Sequence, residues 1–269
     1  TCDEEAIRRL MRAYKKARPV GELILAFRAI TKRGDFLAAK RVDDDGRLRG
    51  HYVPTAVSGR LQCSENPLGT GSNNQNVPRL PSPVRSIFVP DHGHVLVGFD
   101  LSRAEDRHVG GMSGDSKMMR EALAGPEVDT YSDVAEMLEI SAYFEDAFGP
   151  TTNEDDPILL RRPSVRAYYI RQTGKRIKLA AGYDMHGDTM SKSTLLETEG
   201  ALMLDPRQCD VWLDSLKHKK RPGIGKYQAW VRGDMLEHGW LENSWGRRIY
   251  FRKLRLSDGD YRDGYAWRP

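Results

Sequence analysis

Ile7, Leu10, Met11 and Tyr14 stand at helical spacing among basic residues, which predicts an amphipathic helix over 4–17 that stops at Pro19. Val20, Ile24, Phe27 and Ile30 resume the period, predicting a second helix over 20–32 and a helical hairpin. Residues 36–42 and 47–53 then flank Asp43-Asp44-Asp45-Gly46 and read as a β-hairpin. A long loop region rich in Gly, Asn, Pro and Ser follows over 54–90. Val95-Leu96-Val97-Gly98-Phe99 is apolar throughout, so it predicts a short buried strand ending at Asp100. Beyond it, Ser116 to Ala124 reads as a short helix, and Asp129 or Thr130 can cap another through Leu138. Residues 141–163 carry no clear period, and Asn153-Glu154-Asp155-Asp156-Pro157 reads as a solvated loop. Arg171, Lys175, Leu179 and Tyr183 recur every four residues, a slowly drifting helical stripe that is cationic at its start and aromatic at its end. Asp205-Pro206 opens a helix carrying Val211, Trp212 and Leu216, and 224–238 forms another with Tyr227, Trp230, Val231 and Met235, with the aromatics expected in the core. Gly239 stops it, and 240–250 predicts a hairpin with Arg247 and Arg248 at its tip.

Composition narrows the class. The chain has 269 residues, 39% hydrophobic and 30% charged, enough for one large domain or two small ones. No apolar run approaches the roughly 20 residues of a membrane helix, so no membrane partner is expected. Thr1-Cys2-Asp3-Glu4-Glu5 lacks both an initiator Met and the basic-then-apolar order of a signal peptide, and reads as an excised or processed start. Cys2, Cys63 and Cys209 form no Cys-x-x-Cys pair, which argues against a zinc knuckle or a disulfide framework and predicts a reducing, intracellular setting. A net charge of +4 suits a polyanionic partner without requiring one.

Three stretches carry candidate chemistry. Asp100 at a strand end is either a metal ligand or a helix cap, with Glu105, Asp106 and Arg107 one turn on. The 171–184 stripe could hold a triphosphate at one end and a base at the other, or be a basic helix laying its stems along the surface. Arg60, Gln75 and Asn76, with Gly freedom around them, are the donors a chain needs to run beside phosphates and minor-groove acceptors, although a solvated polar loop has the same composition. Asp43-Asp44-Asp45 is not an EF-hand loop, which alternates its ligands and closes with a Glu. Gly69-Thr70-Gly71 is too short for a P-loop and lacks its Lys.

Taken in order, these stretches resemble the polymerase region of family A DNA polymerases, the bacterial DNA polymerase I type. Ser58-Gly59-Arg60-Leu61 through Pro78 is similar to the family's thumb-to-palm loop. Asp100-Leu101-Ser102-x-x-Glu105-x-Arg107, with Ser113-Gly114-Asp115 behind it, matches its first palm motif. Arg171-x-x-x-Lys175-x-x-x-Leu179-x-x-x-Tyr183 matches its fingers helix, and Gly246-Arg247-Arg248 resembles the segment that follows. The resemblance covers nearly the whole chain. It implies an α+β class: a partial right-hand polymerase fold, with an antiparallel palm sheet and largely helical fingers. Residues 1–53 would be connecting helices and a hairpin between thumb and palm, 54–115 part of the palm, 116–238 the fingers, and 239–269 a return toward the palm.

The resemblance also implies a mechanism in which two Mg²⁺ ions stabilise the attacking and leaving oxygens of an in-line displacement. Asp100 would hold both, helped by the Leu101 carbonyl. Arg171 and Lys175 would bind the incoming triphosphate, with Lys175 stabilising or protonating the pyrophosphate. Leu179 and Tyr183 would pack at the nascent base pair, Glu105 would exclude a ribose 2′-hydroxyl, and Arg60, Gln75, Asn76, Arg247 and Arg248 would follow primer–template DNA. The partners implied are primer–template DNA and dNTPs, in the cytoplasm of a bacterium or a phage-infected cell. Leu101, Leu179 and Asp184 depart from the family's usual Tyr, aromatic and Gly, and Asp129 stands where a phosphate-contacting His is usual. No His-Asp-Glu segment occurs in the chain, so the second catalytic carboxylate is expected from a C-terminal partner fragment, with an N-terminal fragment supplying a thumb or exonuclease. The alternatives are a catalytically incomplete DNA-binding module and a single-subunit RNA polymerase, which the Glu105 gate disfavours.

Overall fold

A computed structural model of the chain describes residues 2–37, 42–54, 60–77, 83–125, 128–243 and 245–251. Ser58, Gly59, Pro78 and the tail beyond 251 lie outside the described residues. The chain divides into two compact units, one built on Asp100–Tyr265 with Thr1–Arg9, the other on Leu10–Phe99.

The larger unit is helical and is laid out around one 20-residue helix. In chain order its helices are α4 (Ala104–Ser113), α5 (Ser116–Leu123), α6 (Thr130–Met137), α7 (Ile140–Phe148), α8 (Pro163–Gly182), α9 (Gly187–Glu197), α10 (Pro206–Asp214) and α11 (Pro222–His238). Pro163 opens α8 in its first turn, where its missing N–H costs nothing. The buried face of α8 runs through Arg166, Thr173, Gly174, Ile177, Lys178 and Ala181, a 3.6-residue period. Gly174 is there because α6 crosses at that point: a Cβ would lie 2.3 Å from the Tyr131 carbonyl oxygen and 3.0 Å from the Ala135 Cβ. The core gathers Val134, Ile140, Phe144, Ile177, Leu204, Trp212 and Leu216, with Tyr143 edge-on to Trp212 at 5.0 Å.

Caps follow the sequence signals. Asp115 accepts from the Lys117 and Met118 N–H groups, Asp129 from Tyr131 and Asp205 from Arg207. α11 ends at Gly239 in the left-handed region (φ 70°), as its position predicts. Between α10 and α11 the chain widens into a π-helical turn, Ser215–Lys220. The predicted hairpin near the end forms, with β3 (Trp240–Glu242) antiparallel to β4 (Arg248–Tyr250).

Several expectations change. Helix α7 and helix α9 arise where no period was legible, because Phe144, Met190 and Leu195 are buried by neighbours distant in sequence. Trp230 is 61% exposed, on the outer face of a helix whose buried side carries Met235.

In the smaller unit, α1 (Glu4–Ala13) begins in the larger unit and leads through a short 3₁₀ turn to α2 (Arg18–Leu37). Pro19 sits in the first turn of α2 and opens the second helix, whereas the first ends earlier than expected, at Ala13, where Tyr14 turns extended (φ −127°, ψ 101°). The hairpin expected over 36–53 is not the one formed. Phe36 and Leu37 end α2, and β1 (His51–Val53) pairs with β2 (Gln62–Ser64) instead. Asp43–Gly46 does turn, closed by the Gly46 N–H donating to the Asp43 carbonyl at 2.9 Å. Its carboxylates face cations: Asp43 and Asp45 each accept from Arg49 at 2.5 Å. A four-residue helix, α3 (Pro83–Ser86), follows.

The predicted buried strand before Asp100 is the largest correction. Val95, Leu96, Val97 and Phe99 are 70–91% exposed and pair with no strand among the described residues. A strand is stable only when neighbours take its N–H and C=O groups and cover its side chains, and neither is supplied here. The two antiparallel pairs, β1–β2 and β3–β4, are the only sheets among the described residues.

Candidate functional site

The stripe predicted on α8 forms, and α6 builds a floor beneath it. Asp129, the cap of α6, accepts from the Arg171 Nε at 2.7 Å and from the Ser132 hydroxyl at 2.7 Å. Burial raises the Asp129 carboxyl, but the bonds from Arg171 and Ser132 outweigh it and hold it at about 2. Two residues on, the Tyr131 ring lies under three cations: the Arg171 guanidinium at 5.3 Å and the ammonium groups of Lys175 and Lys178 at 5.7 Å. Burial pushes the Tyr131 phenol up, and the Asp106 carboxylate adds to the shift. Gly174 permits the close approach of α6 that places this ring.

At the other end of the stripe, the Tyr183 hydroxyl donates to the Glu105 carboxylate at 2.6 Å, joining the C-cap of α8 to the first turn of α4. Glu105, Asp106, His108, Val109, Met118, Lys178, Leu179, Gly182 and Tyr183 line a cleft of about 240 Å³. The structure therefore brings Glu105, Leu179 and Tyr183 to one cleft, with Lys175 and Arg171 further up the same helix.

Under the cleft lies a buried charge cluster. Lys178, 5% exposed, is 3.0 Å from Asp106 Oδ2 and 3.5 Å from Glu121 Oε2, and donates to the Thr130 hydroxyl at 2.9 Å. Glu121 also takes a close ion pair from Arg221, which is 1% exposed. Two carboxylates thus face two cations from four elements. The Asp106 contact is an ion pair without hydrogen-bond alignment, and Arg221 keeps Nε and Nη1 without partners among the described residues. Arg103, in the left-handed region (φ 55°), donates to the Glu121, Ala124, Gly125 and Val128 carbonyls at 2.9–3.4 Å and so ties down the chain between α5 and α6.

Sequence reasoning placed Asp106 in the charged cluster after Asp100 but missed Tyr131, Lys178, Glu121, Arg221 and Arg103. Lys178 and Tyr131 carried a signal: Lys178 falls on the apolar side of the helical period, and Tyr131 follows a cap. The others become informative only when distant elements meet.

Asp100 is exposed, not buried. The Leu101 carbonyl accepts the Ala104 N–H at 3.3 Å in the turn into α4. Both offer hard oxygen donors of the kind Mg²⁺ takes. Among the described residues, no group of three or more His, Cys, Asp or Glu side chains could hold a metal ion. In the smaller unit Arg60, Gln75 and Asn76 are exposed, and the Gln75 side-chain amide donates to the Leu61 carbonyl at 2.9 Å. Arg248 belongs to β4, not to the hairpin tip, and sits 4.1 Å over the Trp240 ring while donating to Glu242 at 2.6 Å; Arg247 stands at the turn.

No family model matches the chain. A thermostable DNA polymerase I of Thermus thermophilus is 27% identical over 252 residues, 90% of this chain and 26% of that protein. The Thermus aquaticus enzyme of the same description is 25% identical over 256 residues, again 90% of this chain and 26% of the relative. A DNA polymerase of Mycobacterium phage D29 is 24% identical over 180 residues, covering 67% of this chain. Among solved structures, the POL domain of Pol1 from M. smegmatis, in complex with DNA primer-template and dNTP, superposes with a TM-score of 0.63 at 22% identity, over 96% of this chain and 40% of that one. The chain thus spans about a quarter of the length of the relatives it matches. In sequence it is similar to Pol I-type DNA polymerases, and its fold matches part of a polymerase domain.

Proposed function

We propose that this chain binds primer–template DNA and a deoxynucleoside triphosphate and serves template-directed DNA synthesis, deoxynucleotidyl transfer to a primer 3′ end, as one piece of a split polymerase. The observation that carries the reading is the single face of α8. Arg171 and Lys175 share the Tyr131 ring near its middle, and Tyr183 is bonded to Glu105 at its end. In this reading residues 1–53 connect thumb and palm, 54–115 are palm, 116–238 fingers and 239–269 a return toward the palm.

Arg171 and Lys175 hold the triphosphate, and the Lys175 ammonium stabilises or protonates the departing pyrophosphate. Leu179 and Tyr183 pack at the nascent base pair. The Tyr183 hydroxyl fixes the Glu105 carboxylate, which excludes a ribose 2′-hydroxyl and argues against RNA synthesis. Arg60, Gln75, Asn76, Arg247 and Arg248 follow the primer–template. Two bound Mg²⁺ ions would neutralise charge on the attacking and leaving oxygens, and the Asp100 carboxylate and Leu101 carbonyl are this chain's ligands for them. The second carboxylate comes from a C-terminal fragment, and an N-terminal fragment brings a thumb or exonuclease. The exposed apolar side chains of Val95, Leu96, Val97 and Phe99 support such a partner, since they leave apolar surface uncovered by the described residues. No helix among the described residues is long and apolar enough to cross a membrane, and we place the activity in the cytoplasm of a bacterium or phage-infected cell. One observation favours a second reading, a DNA-binding module without catalysis: no multi-ligand acidic cluster occurs among the described residues.

The deciding experiment is primer extension with Mg²⁺ and dNTPs, using the chain alone and mixed with a C-terminal polymerase fragment bearing His-Asp-Glu. Extension in the mixture, lost with Asp100→Ala, is expected. DNA binding without extension in either case would leave the binding module.

A further inference from the structure

We propose that the π-helical turn Ser215–Lys220 binds the phosphate backbone of a single nucleic-acid strand, the template on its way to the base end of the α8 stripe. The inference rests on the polymerase reading and gives it a site that the sequence motifs do not include.

Lys217, His218, Lys219 and Lys220 are consecutive, and Arg221 follows. Such a run has two parts here. Buried Leu216 within the turn and buried Arg221 just after it pin the turn to the core and to Glu121. Lys217 is half-buried and reaches Asp184 at 2.9 Å, and His218 lies 3.6 Å from Asp214. Lys219 and Lys220 are exposed and have no ion-pair partner among the described residues. The anchored turn fixes the backbone that carries these two exposed ammoniums and so concentrates positive potential at one place on the surface. A polyanion is drawn to that potential, and a π-helical turn is a frequent mark of function.

The placement selects the ligand. The Lys217–Asp184 pair fastens the turn one residue beyond Tyr183, at the rim of the 240 Å³ cleft. Free phosphate or a nucleotide has no reason to prefer that rim to the Arg171 end, whereas a strand leading its base into the cleft lays its backbone there. The contact is to phosphate and is therefore independent of sequence.

The test measures the salt dependence of binding by anisotropy. The probes are a fluorescein-labelled primer–template with a single-stranded template overhang of about ten nucleotides and the matching blunt duplex. In Lys219→Gln/Lys220→Gln, overhang binding should weaken about ten-fold at low salt and the log–log salt slope should flatten by about 1.4, since each single-strand phosphate contact contributes about 0.7. Blunt-duplex binding should hold, as should overhang binding in Lys219→Arg/Lys220→Arg and in the charge-matched control Lys117→Gln/Lys192→Gln. An unchanged slope, or an equal loss on blunt duplex, would overturn the proposal while leaving DNA binding intact. No DNA binding by the unaltered chain would remove both this site and the polymerase reading.

Discussion

Asp129 occupies the Arg171 guanidinium, the group proposed above to meet a triphosphate. The carboxylate and Arg171 are 2.7 Å apart with side chains 38% and 42% exposed, so screening limits the pair to under about 1 kcal/mol. Asp129→Asn keeps the cap of α6 but removes the charge. It should raise dNTP affinity by up to about five-fold, the equivalent of about 1 kcal/mol, in a calorimetric or fluorescence titration. Unchanged or weaker binding would show that Arg171 does not meet the nucleotide. The pH dependence has a definite sign. The folded carboxyl sits at about 2, below its ordinary 3.8, so its contribution to stability is full above pH 4 and disappears as pH falls through 2. Asp129 also shows what a sequence can and cannot disclose at this scale. Its role as a cap was legible from position, as was the Arg171 to Tyr183 stripe from period. That the cap would turn to Arg171 was not, because it depends on Gly174 letting two helices meet forty residues apart in sequence.

The larger unit's elements are held in register by charge as well as by apolar packing. Helices α4, α5 and α8 and the start of α11 meet at Asp106, Glu121, Lys178 and Arg221, all nearly closed to solvent. Lys178→Met would strand two buried carboxylates with one cation and should cost about 3 kcal/mol by denaturant unfolding. The double change Lys178→Met/Asp106→Leu should recover part of that loss, because Glu121 keeps Arg221; full additivity of the two single losses would dismiss the cluster as a unit. Helices with strong caps and long periods were legible. Helices α7 and α9 were not, since tertiary burial overrides a weak local pattern, and neither was the β1–β2 pairing, where His51–Val53 takes a partner from beyond a loop.

For the whole molecule, the stretch preceding Asp100 is the feature that most exceeds the chain's own resources. Leu96 and Phe99 are 70% and 91% exposed, so Leu96→Lys/Phe99→Lys should change the melting behaviour by no more than about 0.5 kcal/mol. The same variant should bind less of a hydrophobic dye and, under the proposed split arrangement, should not be stimulated by a C-terminal fragment in primer extension. Retained stimulation would move the docking surface elsewhere. The apolar composition of this run was plain in the sequence, but its neighbours were not, because strands are completed by distant chain.

Asp184 holds the left-handed region at φ 54° while its carboxylate takes Lys217 and Arg232, and nearby the Gln228 amide donates to the Ala181 carbonyl at 2.6 Å. Three fasteners therefore couple the last turn of α8 to the π-helical turn and to α11. In mechanical terms the end of α8 is geared to the cationic turn. A displacement of the end of α8 that carries Tyr183 would therefore be passed on to Lys217 and its neighbours through these same contacts.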